Sequence, residues 1–154
     1  MNQSEITIAK SGDMEEILAL QKRAFFLEAE RHNDFTIRPI VETIEEYRPF
    51  FDSHTVLVIR RDDAIVGAVA VRCENGTTYL NRLIVEPKFH GNGIGSRLID
   101  AAVGFFPEAY RIELFTGEKS IRNQEIYFHK GFREFRRQKM GNIEMVVMEK
   151  LITA

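Results

Sequence analysis

Residues 83–96 decide the fold, and they run Leu83-Ile84-Val85-Glu86-Pro87-Lys88-Phe89-His90-Gly91-Asn92-Gly93-Ile94-Gly95-Ser96. The pattern predicts a buried strand that ends at a proline and turns through three alternate glycines into an amphipathic helix. Glycine lets the backbone curl so that several N–H groups point inward, and the helix start adds the positive end of its dipole. The turn therefore predicts a site for phosphate oxygens, although such a turn is also compatible with close packing alone.

Hydrophobic periodicity on either side of this stretch predicts one order of elements. Upstream it predicts a strand at Ser4–Ala9, a helix at Asp13–Arg31, a second helix from Pro39 onward, and three strands within Thr55–Val85. Downstream it predicts a helix from Ile94 to Val103, a strand at Tyr110–Thr116 and a helix at Ser120–Lys130. A closing hairpin follows, formed by Phe132–Gln138 and Ile143–Leu151. This order indicates one mixed sheet covered by about four helices, an α/β (α+β) fold, with a single domain over residues 1–154.

Composition narrows the classes of function. The formal charge of −2 favours neither a nucleic acid nor a membrane surface as partner. Cys73 is the one cysteine, and the four histidines lack metal-ligand spacing, so we expect neither a disulfide nor a metal site. The sequence shows no export signal and no apolar run long enough to cross a bilayer, so we expect a cytoplasmic protein.

The glycine turn differs from two known phosphate-binding loops. A Walker loop needs a lysine before its Ser or Thr, where Gly95 precedes Ser96, and a dinucleotide fingerprint needs Gly or Ala where Ser96 stands. The strand also follows an antiparallel meander instead of opening a strand-helix-strand repeat. The glycine turn is therefore predicted to be a pyrophosphate-binding loop of another type.

Two segments resemble the signatures of the GNAT N-acetyltransferase family. The motif R/Q-x-x-G-x-G/A matches residues 90–95, with His90 in place of the usual Arg or Gln. Residues 123–132 are similar to the second signature, N-x-x-x-Y-x-x-x-G-F, with Asn123, Tyr127, Gly131 and Phe132 at its fixed positions. Two spaced motifs in the right order are far more specific than either alone.

The resemblance implies a splayed central sheet and acetyl-CoA as co-substrate. The pyrophosphate would bind at the turn, and the pantetheine arm would add to the end of the fourth strand and contact Asn123. The residues implied for the cofactor are Leu83, Ile84, Val85, His90, Gly91, Asn92, Gly93, Ile94, Gly95, Ser96 and Asn123. For His90, a contact to phosphate and a solvated turn histidine are about equally compatible.

The activity implied is acetyl transfer to a primary amine of a small molecule or peptide, by direct attack in a ternary complex. Tyr127 corresponds to the tyrosine that lies beside the thioester sulfur, and amides near Val85 would receive the oxyanion. One alternative is a non-catalytic acyl-CoA sensor, and a more distant one is a nucleotide-binding domain that uses the same glycines.

The group that takes the proton of the amine is not evident from the sequence. Predicted strand Thr77–Val85 contains no carboxylate, so the glutamate that some family members place there is missing. The candidate substrate residues are Phe25, Glu28 and His32. Glu28 falls on the apolar stripe of the first helix, where a carboxylate is unfavourable unless it serves a function. A helix end that frays into solvent is the plainer interpretation of Glu28. The acceptor itself would be selected by the Arg31–Arg38 region and the closing hairpin, and a monomer or a homodimer is compatible with the sequence.

Overall fold

The computed structural model describes residues 5–152, and within them seven strands form one sheet in the order β1-β2-β3-β4-β5-β7-β6. The strands are β1 (Ile6–Ile8), β2 (Thr55–Arg61), β3 (Ala64–Glu74), β4 (Thr77–Val85), β5 (Arg111–Gly117), β6 (Arg133–Met140) and β7 (Ile143–Leu151). All neighbours are antiparallel except β4 and β5, which are parallel. The mixed sheet predicted from the sequence is confirmed; Ser4, predicted to begin the first strand, lies outside the described residues.

In the described part of the chain, five α-helices cover the two faces of this sheet. They are α1 (Met14–His32), α2 (Arg38–Val41), α3 (Ile44–Ser53), α4 (Ile94–Val103) and α5 (Ile121–His129). One buried apolar cluster joins α1 and α3 to the sheet through residues such as Leu20 and Tyr47. A second cluster joins α4 and α5 to the opposite face through Leu98 and Tyr127. No helix within residues 5–152 is long and apolar enough to cross a membrane.

The helix predicted from Pro39 is two helices. It breaks at Glu42 and Thr43, because Thr43 caps a new helix: its hydroxyl accepts from the Glu46 amide over 3.2 Å, and the Glu46 carboxylate accepts from the Thr43 amide over 2.9 Å. This reciprocal capping box satisfies amides that a continuous helix would have bonded internally. The break turns the Glu42 side chain into the protein, where only 2% of the residue is exposed.

The sheet opens into a fork between β4 and β5. These strands pair at three positions only, from Thr77 with Arg111 to Tyr79 with Glu113, and then diverge. On the other side of β4, the register with β3 shifts between Ala68 and Ala70, and Arg82 adopts a left-handed φ of 50°. Such a bulge bends a strand and re-aims a side chain. The splayed sheet implied by the family resemblance is therefore present, and the fork is where the cavities lie.

Candidate active site

The glycine turn ends in a row of amides without acceptors. Gly91 and Gly93 have left-handed φ angles of 87° and 78°, and α4 begins at Ile94 with Gly93 as its N-cap. The first amide to donate into the helix is that of Arg97, which bonds the Gly93 carbonyl over 3.1 Å. Within the described part of the chain, the amides at 91, 93, 94, 95 and 96 donate to no other residue. Together with the helix dipole they form an anion-binding site.

Two other backbone amides of the turn are used internally. The His90 amide donates to Pro87 over 3.2 Å, and the Asn92 amide donates to Phe89 over 3.3 Å. Because these bonds shape the turn, the Asn92 amide is not available to a ligand in this conformation. The cradle predicted from Gly91 to Ser96 thus has a gap at Asn92.

The end of β4 presents its backbone to the open fork. The Glu86 amide donates to the Val66 carbonyl on β3 over 2.8 Å. Since hydrogen-bonding groups alternate along a strand, the Val85 amide faces the opposite side, where β5 has diverged. The ring of His90 folds back over this end, with Nε2 3.3 Å from the Val85 carbonyl oxygen. His90 therefore contacts the end of the strand while its side chain stays exposed, which agrees with a solvated turn histidine; a contact to phosphate stays a prediction.

A cavity of about 360 Å³ leads from the glycine turn into the fork, and we call it the glycine-turn cavity. It is bounded by the turn, the end of β4, α1 and α5. The predicted cofactor, catalytic and substrate residues that line it are Phe25, Glu28, Leu83, Ile84, Val85, His90, Gly91, Gly93, Ile94, Gly95, Ser96, Asn123 and Tyr127. Asn92 and His32 are the predicted residues that line neither this cavity nor the next one.

A second cavity of about 480 Å³ lies on the other side of the fork, and we call it the hairpin cavity. Its walls come from the segment between α1 and α2, from β4 and β5, and from the β6–β7 turn around Gly141. Five residues line both cavities: Phe25, Glu28, Leu83, Asn123 and Tyr127. The two cavities therefore meet at one junction, and that junction holds a phenol and a carboxylate.

Tyr127 supplies the phenol at this junction. Tyr127 is 6% exposed, and its ring packs edge-on against the Phe132 ring, with the ring centroids 5.9 Å apart. No other described residue bonds its hydroxyl. Burial raises the pKa of Tyr127 far above its ordinary value, and the negative charge of Glu28 raises it further. The phenol is thus a protonated hydrogen-bond donor at neutral pH.

Glu28 supplies the carboxylate, and three neighbours hold it. The Ser120 hydroxyl donates to Oε2, and Arg31 Nη1 and His32 Nδ1 lie 3.3 and 3.4 Å from its oxygens. The Glu28 side chain is 15% exposed, so it is not part of a frayed helix end. Its side chain instead points at the junction.

His32 stands behind Glu28. Its side chain is 4% exposed, and its Nε2 atom is buried without a hydrogen-bond partner among residues 5–152. Gly117, the last residue of β5, makes room for both side chains: a Cβ there would lie 2.5 Å from His32 Cε1 and 2.7 Å from Glu28 Oε2. The structure thus joins His32 to the site through Glu28.

Sequence reasoning missed three residues of this arrangement. Ser120 was identifiable only as the start of a helix, and Gly117 only as the end of a strand. Arg82 carried no local signal, since its role depends on a bulge that aims it toward Glu42. The contacts of all three are long-range in sequence, and no spacing rule encodes them.

The fold and site define an α/β protein with an anion-binding glycine turn at the mouth of a forked sheet. A sequence model of the acetyltransferase (GNAT) domain matches residues 26–152. The chain therefore belongs to the GNAT acetyltransferase family. No curated protein matches the sequence significantly.

Solved structures show the same fold at low identity. The ribosomal-protein-S18-alanine N-acetyltransferase from Escherichia coli has a TM-score of 0.80 and 11% identity, covering 99% of this chain and 96% of that one. A GNAT-family acetyltransferase from Streptococcus pneumoniae has a TM-score of 0.75 and 21% identity, covering 97% and 100%. The PaiA N-acetyltransferase from Thermoplasma acidophilum, solved with coenzyme A, has a TM-score of 0.71 and 15% identity, covering 97% and 99%.

Proposed function

We propose that the protein transfers an acetyl group from acetyl-CoA to a primary amine, by direct attack in a ternary complex. Membership of an acetyltransferase family supports acetyl transfer. The observation that carries the proposal is the junction, where the glycine-turn cavity and the hairpin cavity meet at Tyr127 and Glu28. One cavity would hold the thioester and the other the amine, so that the two reactants meet at one point.

The glycine turn would hold the cofactor. Its five unpaired amides would donate to the pyrophosphate oxygens, and charge-assisted bonds of this kind are stronger than neutral ones. The pantetheine arm would lie along the open side of β4 from Leu83 to Val85, and its amides would satisfy backbone groups that β5 leaves unpaired. Asn123, one turn before Tyr127 on α5, would contact the same arm.

Glu28 would handle the proton of the acceptor. An alkylammonium ion has a pKa of about 10.4, so it must lose a proton before its nitrogen can attack. Glu28 is the carboxylate that lines both cavities. We assign it to bind the ammonium group and to receive its proton, directly or through a water molecule.

The chemical step then needs two hydrogen-bond donors. The amine nitrogen attacks the thioester carbonyl carbon, the Val85 amide stabilises the oxyanion, and the C–S bond breaks to release the thiolate. Tyr127 donates a hydrogen bond to that sulfur. Because the pKa of Tyr127 is raised far above the thiol value of about 8.5, the phenol stabilises the sulfur without ionising. The attacking nitrogen becomes positively charged and gives up a second proton, which neutralises the thiolate. The products are free coenzyme A and an amide, and Glu28 releases the first proton to solvent.

The Tyr127→Phe variant tests this proposal. We expect kcat to fall about 100-fold while the coenzyme A dissociation constant is unchanged, because one donor to the developing charge is lost and the ring remains. Steady-state kinetics with acetyl-CoA and an amine panel, together with calorimetric titration of coenzyme A, measure both quantities. Tyr110→Phe is the matched control, since Tyr110 is 59% exposed and lines neither cavity.

The outcomes separate the proposal from its alternative. Unchanged turnover in Tyr127→Phe would remove that residue from the mechanism. Tight coenzyme A binding with no acetylation of any amine would contradict the proposed activity and favour a non-catalytic acyl-CoA sensor.

A further inference from the structure

A buried carboxylate behind the hairpin cavity faces two guanidinium groups. Glu42 Oε1 accepts from Arg82 Nη1 over 2.8 Å and from Gln21 Nε2 over 3.2 Å. Glu42 Oε2 lies 3.4 Å from Arg82 Nη2 and 3.3 Å from Arg38 Nε. One negative charge thus serves two positive ones, which leaves this wall of the cavity with a surplus positive charge.

Arg38 is the positively charged residue of this wall that a ligand can reach most readily. Its side chain is 67% exposed, and it lines the hairpin cavity from the start of α2. Its ion pair with Glu42 runs through Nε over 3.3 Å, and the exposed Glu46 carboxylate, which also acts on Arg38 electrostatically, is bonded by the Thr43 amide. A guanidinium fork in this state matches the two oxygens of a carboxylate.

Arg82 is held in place from two sides. Its guanidinium stacks on the Phe50 ring, with Cζ 4.0 Å from the ring centroid, while its nitrogens bond Glu42. The left-handed backbone at this residue costs about 1 kcal/mol in a non-glycine residue. Strain of this kind persists where the surrounding structure enforces it, commonly at ligand sites. Arg82 lines the same cavity as Arg38.

Two acidic residues also line the hairpin cavity, and neither neutralises this wall. Glu28 is held at the junction by Ser120, Arg31 and His32. Asp34 accepts from the Thr36 hydroxyl over 2.6 Å and from the Thr36 amide over 2.9 Å, and it forms no ion pair with Arg38. The cavity therefore has a carboxylate at the junction and a positive wall away from it.

We infer that the amine acceptor is a small amino acid, whose ammonium group lies at Glu28 and whose carboxylate binds Arg38 and Arg82. This inference rests on the proposed acetyl transfer to amines. The cavity, about 480 Å³, is in the size range of small-molecule sites. A simple alkylamine would leave the positive wall without a partner, and a peptide N-terminus carries no carboxylate next to its amine. The term amino acid here covers any small, non-peptide molecule with a primary amine and a carboxylate, such as an α-, β- or γ-amino acid.

The test compares acids with their carboxamides, which keep the amine and lose the negative charge. The probes are leucine, γ-aminobutyrate and lysine, each against its primary carboxamide, titrated by calorimetry into the protein saturated with coenzyme A. The same pairs are assayed for acetylation with acetyl-CoA. We expect at least one acid to bind about tenfold or more tightly than its carboxamide, as expected for loss of a hydrogen bond between charged groups.

Arg38→Gln is the diagnostic variant. It removes the charge and leaves Arg82 on Glu42, so the fold is retained. We expect it to reduce the preference for the acid several-fold, with Arg82 retaining part of it, while the affinities for the carboxamide and for coenzyme A stay unchanged. Arg48→Gln is the matched control, because Arg48 is an exposed arginine of α3 that lines neither cavity, and it should keep the preference.

The outcomes distinguish this inference from the proposed function. Acetylation of acids and carboxamides with equal efficiency, or a preference that is undiminished in Arg38→Gln, would overturn the inference and leave the acetyltransferase standing. Arg38-dependent binding of an acid without any acetylation would support an amino acid site in the hairpin cavity and overturn the proposed function. Failure of all three pairs to bind would overturn the inference.

Discussion

At Gly117, the lack of a side chain makes room for two others. The buried imidazole of His32 and the carboxylate of Glu28 occupy the space that a Cβ at this residue would take. Ser120, three residues further along, donates to Glu28 from the same turn. The end of β5 thus helps to fix where the carboxylate of α1 lies through contacts that are distant in sequence, beside the local helical neighbours Arg31 and His32.

Gly117→Ala should therefore damage the site more than its size suggests. The new methyl group would push Glu28 and His32 away from the junction, and His32 is buried and has little room to move. We expect turnover to fall about tenfold or more from this misplacement and the protein to lose about 1–3 kcal/mol of stability from overpacking. The KM for acetyl-CoA should stay unchanged. Steady-state kinetics and urea unfolding measure these effects.

Gly12→Ala provides the control for that substitution. No atom lies within 4 Å of the Cβ position at Gly12, so both activity and stability should be retained. Full activity in Gly117→Ala would show that Glu28 can shift without consequence, which would argue against its assigned role.

Among the elements, the turn into α4 combines a left-handed backbone with the proposed cofactor site. Gly93 is the N-cap of α4 and adopts a left-handed conformation, which places the following amides at the end of the glycine-turn cavity. An L-residue at this position would either bear the strain or rotate the turn. In the second case the amides at 94 to 96 would no longer converge.

Gly93→Ala should weaken coenzyme A binding. We expect the dissociation constant measured by calorimetry to rise about tenfold, because the turn relaxes, and the free energy of unfolding to fall by about 1 kcal/mol. Gly141→Ala is matched in strain, with a φ of 64° and no atom within 4 Å of its Cβ position, but lies in the β6–β7 turn. It should lose similar stability and keep its coenzyme A affinity. Equal affinity in both variants would contradict a role for the turn in holding the cofactor.

Most elements were predictable because their signals are local. Strand β4 and helix α4 follow from alternation, helical spacing and the glycines between them, and both agree with the predicted ranges. The break between α2 and α3 also has a local signal, the capping box Thr43-Ile44-Glu45-Glu46, which helical periodicity alone overlooked. The fork and the bulge at Arg82 have none, because they depend on which strands pair and for how far. The candidate site is similarly divided: the motifs indicate Tyr127 and the glycines, and helical spacing brings Arg31 and His32 to Glu28, whereas its bond from Ser120 comes only from the assembled fold.

Across the whole molecule, His54 connects one helix layer to the sheet. His54 follows α3, and its Nδ1 lies 2.9 Å from the Phe50 carbonyl oxygen. Its Nε2 lies 3.3 Å from the side-chain amide nitrogen Nδ2 of Asn81, on β4. Burial lowers the pKa of His54 below 6.5; the Phe50 carbonyl opposes this shift, while the positive charges of Arg72 and Arg82 add to it. The imidazole is therefore neutral in the fold and more readily protonated in the unfolded chain.

Stability should consequently depend on pH through this residue. Between pH 6.5 and the lower folded-state pKa, the unfolded chain binds more protons, so His54 contributes stability that is complete above pH 6.5 and is lost as pH falls. We expect Tm to drop between pH 7 and pH 5, and each 1 kcal/mol lost corresponds to about 2–4 °C for a domain of this size.

His54→Gln should flatten that dependence, since glutamine does not titrate. His129→Gln, a change at an exposed histidine of α5, should keep the slope of the original protein. Melting curves recorded from pH 5 to pH 8 make the comparison, and an unaltered slope in His54→Gln would assign the effect to other groups.

The ladder between β4 and β5 is three residue pairs long, and it divides the sheet into two lobes. Within the described residues four strands lie on one side and three on the other, and one buried apolar cluster, which includes Leu98 and Ile112, spans both sides. A pantetheine arm laid into the gap would act as an additional strand that bridges the two lobes. Cofactor occupancy and the rigidity of the whole domain would then rise together, because a ligand that binds the folded domain also stabilises it.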